Sequence, residues 1–243
     1  HIEATAGAPP GVTLAPAPNG DSPVLAIRTA NGAGVRVTQE TTAVAINVED
    51  LGEIGGCPSG LCANDILMIS DCAKARVFQS TAVNSGADVT IEHSGGANPG
   101  NSFGSWGGSD PTPYDIYRVG AEVTKIHTLL YYIADNPRGR PSLYLQEGNT
   151  PGGAIELLEG VEAMNLEFGV GSQSVVTEFV PFSAGVNWNN VLAVRLSLLV
   201  QSTDDNISPE PQTYTFAGED VEADDRRIRQ VFTTTVGIRS RLN

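Results

Sequence analysis

Residues 191–201 read VLAVRLSLLVQ, and no other run constrains the fold as strongly. Leu192, Val194, Leu196, Leu198 and Val200 share one face at period two. Ala193, Arg195, Ser197 and Gln201 share the other, with Leu199 as the large apolar intruder. Such alternation describes a strand with one face on a core and the other near water. A slip of one residue would expose the whole apolar set, so the register is strongly specified. None of these side chains is a catalytic group, and the run points to a scaffold.

At 243 residues the chain can bury a real core. Its 27 glycines and 15 prolines imply many turns and little room for long helices. The formal charge of −14 argues against nucleic acid as a partner, because phosphate backbones are bound by clustered Lys and Arg. It also disfavours docking on an anionic membrane surface. No apolar run approaches a membrane span and no signal peptide opens the sequence, which fits a soluble region whose targeting segment has been removed.

Three cysteines, Cys57, Cys62 and Cys72, lie close together. A zinc site would need a fourth ligand, and only His93 is near in sequence. One disulfide with an odd cysteine left over is the better reading, and it implies an oxidising compartment. The pairing stays open: Cys57 and Cys62 could close a short loop, or either could join Cys72.

Residues 1–22, rich in Ala, Gly and Pro, read as a poorly ordered leader, with a single domain over 23–243. Ile66 to Ser70 and Ala75 to Ser80 read as an antiparallel pair. Residues 94–110 form a Gly/Ser/Asn loop. Residues 114–132 carry both a helical stripe (Ile116, Val119, Val123, Ile126, Leu130) and strand alternation. We favour a strand from about Ala121 to Ala134, with Ser142 to Leu145 pairing back across the Asn136–Gly139 turn. An acidic insertion spans residues 203–225, and the chain closes on a strand-like run through Phe232, Thr234, Val236 and Ile238. About ten strands without βα repeats predict a predominantly β, α+β domain of antiparallel sheets with long loops.

The histidines His1, His93 and His127 sit in no nucleophile motif, and no set of catalytic roles can be named. Asp204, Asp205, Asp220 and Asp224 are the calcium candidates, yet they lack EF-hand spacing and read more simply as a solvated loop. Glu159 and Glu162 could be a carboxylate pair, but surface and turn roles suffice. No catalytic residue, metal or cofactor is assigned. Phe103, Trp106, Arg239 and Arg241 are the candidate partner contacts, because aromatic and arginine side chains dominate interface energetics. The alternative for Phe103 and Trp106 is folding back onto a sheet. Arg226 and Arg227 follow Asp224 and Asp225 directly and read as internal ion pairs.

From Tyr132 to Leu242 the chain resembles the PilW-type minor pilins of bacterial type IV pili. The resemblance is carried by Tyr131-Tyr132-Ile133-Ala134, by Glu156-Leu157-Leu158-Glu159-Gly160-Val161-Glu162, and by Trp188. It continues through Val194 to Leu199, Tyr214 and Phe216, Arg226-Arg227, Val231 to Val236, and Arg239 to Leu242. Asp65 to Cys72 with Val77-Phe78 fits the same family. The resemblance implies a pilin-like globular domain, no enzymatic activity, and an N-terminal hydrophobic helix, missing here, that anchors the subunit in the inner membrane. It implies a periplasmic domain before assembly, and a pilus-tip position afterwards with other minor pilins, the major pilin and a tip adhesin. Alternatives are a J-type pseudopilin of a type II secretion system, or a carbohydrate-binding adhesive module using Phe103 and Trp106.

Overall fold

The computed structural model describes residues 2–238 apart from 21, 31, 95–99, 102–105, 107–115, 149–152 and 183–185. Its regular structure is strand, with one 3-10 turn at Trp188–Asn190. The α+β expectation is therefore corrected: the described chain is mostly β. In the ambiguous stretch the alternation wins over the helical stripe, whose Val119 is left 66% exposed. Contacts divide the chain into two units, residues 1–27 with 128–243, and residues 28–127.

In the first unit, β1 (Ile2–Ala6) runs antiparallel to β2 (Pro23–Ala30), with Ala4 opposite Leu25. The segment expected to be a loose leader thus supplies a strand, and both Ala4 and Leu14 within it are buried.

The unit of residues 28–127 begins with β3 (Val35–Arg36), β4 (Ala45–Val48) and the small hairpin β5 (Glu53–Ile54) and β6 (Cys57–Pro58). Next come β7 (Ile66–Ser70) and β8 (Ala75–Gln79), paired as the sequence predicts, then β9 (Ala82–Asn84) and β10 (Val89–Glu92). Strands order β4-β10-β9 in one sheet. The first residues of β11 (Glu122–Asp135) pair with β3 and β7. Alternating apolar residues such as Ile46, Val48, Leu67, Ile69, Val89 and Ile91 meet in this unit's core.

Back in the first unit, the later residues of β11 pair with β12 (Pro141–Glu147) across the Asn136–Gly139 turn, Tyr132 facing Tyr144. β13 (Ile155–Glu159) completes the order β1-β2-β11-β12-β13. Gly160 then turns the chain into β14 (Val161–Ser172), at a φ of +88° that favours glycine. A second sheet follows from β14, β15 (Val175–Pro181) and β16 (Val191–Gln201). Beyond the hairpin β17 (Thr213–Phe216) and β18 (Glu219–Glu222), it closes with β19 (Arg229–Gly237), in the order β15-β14-β16-β19. The two sheets bury Ala4, Leu25 and Ile133 against Leu166, Phe168 and Val194. The far face of the first sheet is covered by its own N-terminal stretch, with Leu14 packed among Val24, Leu130 and Tyr132.

Candidate docking site

The strand β16 is central, as its alternation demands, but its burial departs from the expected pattern. Ser197 and Leu199 on the supposed outer face are buried, while Leu196 and Leu198 on the core face are only half-buried. The reason is a cleft of about 190 Å3 between the two sheets of this unit. Leu196, Leu198, Thr234 and Val236 line it from the second sheet, and Ile2, Leu25, Ile27, Tyr131 and Leu143 from the first. Its walls are almost wholly apolar.

At the rim of the cleft runs β19, an edge strand paired only with β16 among the described strands. Phe232 is 52% and Val236 56% exposed there. The Ser202 N–H donates to the Ile228 carbonyl at 2.8 Å, and the Ile238 N–H to the Leu192 carbonyl at 2.8 Å. These contacts fix the even residues as the ones bonded to β16, so the odd residues turn their backbone groups outward. The first outward position, Arg229, is already capped. Its N–H donates to Gln212 Oε1 at 2.8 Å, and its carbonyl accepts from Gln212 Nε2 at 2.9 Å. Val231, Thr233, Thr235 and Gly237 have no partner strand among the described residues.

Buried charge fastens the acidic insertion beside this edge. The Arg229 side chain is only 4% exposed and is gripped by Glu162 and Asp225, with Nη1 donating to Asp225 Oδ1 at 2.5 Å. Hydrogen bonds from Arg229 hold the Asp225 carboxyl below the usual carboxylate range against the opposing effect of burial. From the sequence, Arg229 is one of the basic residues beside the acidic insertion that could either pair with it or face a neighbouring subunit; here it pairs internally.

The other expected site residues scatter. Trp106 is 6% exposed and lies in the core of the 28–127 unit, stacked on His93 with ring centroids 4.2 Å apart. Phe78 and Tyr117 meet it edge-on. It is therefore not an exposed anchor, because a large ring gains more by filling this aromatic cluster than by facing water. Phe103, Arg239 and Arg241 fall outside the described residues. His93 is fully buried, and neither ring nitrogen has a hydrogen-bond partner among the described residues. Burial depresses its pKa to about 4, and carbonyls of His93 itself and Thr42 pull weakly the other way.

The Asp205 carboxylate accepts from the backbone of Asn206 and Arg226, and Asp220 accepts from the Thr215 hydroxyl. No group of three potential metal ligands converges among the described residues. Glu159 and Glu162 do not pair: Glu159 accepts from Arg140 at 2.6 Å, whereas Glu162 binds Arg229. Arg227 pairs with Asp225 at 3.3 Å, and Arg226 bonds Asn206. The disulfide joins Cys57 and Cys62, leaving Cys72 free and exposed.

The residues that line the cleft from β11 onward, and the whole of β19, fall within one recognisable stretch. Residues 130–240 match the family model described as Type IV Pilus-assembly protein W, or PilW. Over that span the chain is similar to PilW-type proteins. No curated protein and no solved structure gives a significant match. That family is described by its part in type IV pilus assembly. No helix among the described residues is long and apolar enough to cross a membrane.

Proposed function

We propose that this chain is a minor pilin that helps prime type IV pilus assembly, and that it docks neighbouring subunits through the open side of its sheet pair. The observation that carries the reading is a coincidence of place. The PilW-type span contains β19 and the cleft residues Tyr131, Leu143, Leu196, Leu198 and Val236. An apolar cleft and a bare strand edge are surfaces that a neighbouring protein can cover, and they hold no chemistry of bond-making. In this reading the partners are other minor pilins, the major pilin and a tip adhesin. The protein is held at the inner membrane by a hydrophobic helix before assembly and sits at the fibre tip afterwards.

The test is reconstitution. Co-expression with the other minor pilins of the same pilus system is expected to give a complex that co-elutes in stoichiometric amounts. Elution of the chain alone under all pairings contradicts the role.

A further inference from the structure

The bare edge of β19 and the cleft beneath it share one geometry, and that geometry selects an occupant. Seven consecutive uncharged residues, Val231 to Gly237, form an edge on a chain of net charge −14. Natural edge strands are usually blunted by charge, proline or a bulge. Here the outward backbone groups of Val231, Thr233, Thr235 and Gly237 alternate with side chains aimed at the cleft face, where Phe232, Thr234 and Val236 lie opposite Leu198, Leu196 and Val194. The amide of Gln212 already supplies both a donor and an acceptor to Arg229, as a neighbouring strand's peptide group would.

We infer that β19 accepts an added strand from a different pilus subunit: an extended segment whose alternate residues are apolar. Its backbone continues the second sheet at the outward positions, and its apolar side chains cover the open side of the cleft beside Phe232, Thr234 and Val236. Main-chain bonds supply affinity and the cleft supplies selectivity for alternate residues. Charge argues against a second copy of this chain, since two bodies of −14 repel. It favours a segment flanked by Lys or Arg, because the neighbouring hairpin exposes Glu219, Asp220 and Glu222. This inference rests on the pilus-assembly reading for the identity of the donor subunit, while the edge itself stands apart from it.

The test uses the full chain and a synthetic peptide of alternating Val and Thr with two lysines at one end, against an isomer with the same residues in blocks. Amide NMR shifts are expected at Val231, Thr233, Thr235 and Gly237 with the alternating peptide alone. Thr235→Pro removes one outward N–H and leaves the bonds to β16 in place, so its unfolding midpoint holds while peptide affinity falls at least about tenfold. Thr235→Val keeps the N–H and keeps binding. Val236→Lys charges the cleft rim and weakens binding as well.

Peptide binding that ignores Thr235→Pro but is lost in Val236→Lys would mean a side-chain occupant, such as a helix, and overturns strand addition. No binding of either peptide overturns it too. The same variants are then mixed with pilus subunits. Capture unaffected by Thr235→Pro refutes the strand mode and leaves the assembly role intact. Peptide bound at the edge with no pilus subunit captured refutes the assembly role and leaves the edge inference intact.

Discussion

Arg229 grips Glu162 with two prongs, Nε to Oε2 at 2.7 Å and Nη2 to Oε1 at 3.2 Å, joining the first residue of β19 to the start of β14. A second grip on Asp225 ties in the acidic insertion. Removing one partner of a buried charge network leaves the others uncompensated, so Arg229→Ala is expected to cost about 3 kcal/mol. Arg229→Lys rescues little, because an ammonium cannot serve both carboxylates in fork geometry. Urea unfolding of both variants checks this; a change under about 0.5 kcal/mol for either contradicts it.

His93 predicts a pH window. Its folded pKa is depressed to about 4 from an ordinary 6.5, so the unfolded chain binds the extra proton first as pH falls. Stability therefore declines between about pH 6.5 and 4, by up to about 3 kcal/mol, and this contribution levels off below. The Asp225 and Glu159 carboxyls are lowered, so their stabilisation is present above their ordinary values of 3.8 and 4.5 and is lost below that range. The two effects thus separate on the pH axis. In His93→Phe the slope between pH 5 and 6.5 should vanish while the acid limb remains. An unchanged slope in denaturant titrations over that interval counts against the assignment.

Gly160 is the turn between β13 and β14. A Cβ there would lie 2.7 Å from the Gln201 carbonyl oxygen, and the backbone is already left-handed. Gly160→Ala is expected to cost about 2 kcal/mol or more, read as a lowered thermal midpoint. A neutral result would mean the turn can be rebuilt without it.

The Cys57–Cys62 bridge closes a short loop, so the paired serine variant should lose about 2 kcal/mol. Native protein should take up one thiol label per chain, at Cys72. Labelling at Cys57 or Cys62 without prior reduction contradicts the pairing.

Much of the strand framework was legible because period-two patterns are local. The β7–β8 pair, the β11–β12 hairpin and the central place of the 191–201 run all follow from alternation and turn residues. Burial set by distant partners was not legible. Trp106 reads equally as an exposed anchor or as a ring folded back onto a sheet until His93 and Phe78 are seen to meet it. Leu196 and Leu198 read as core until the two sheets are seen to leave a cleft over them. Leu14 sits in a stretch whose composition says loose chain, yet it covers the far face of a sheet. Composition reports what a segment can do alone; docking onto a sheet built from distant residues overrides it.

In the proposed role this chain holds pilus subunits against its open sheet pair. The most direct measurement of that role is purification of the full chain from the native envelope under mild conditions, followed by identification of what accompanies it. The account predicts minor pilins in near-equal amount, diminished by Val236→Lys. Recovery of the chain free of any pilus subunit, with pili assembled normally in its absence, would contradict it.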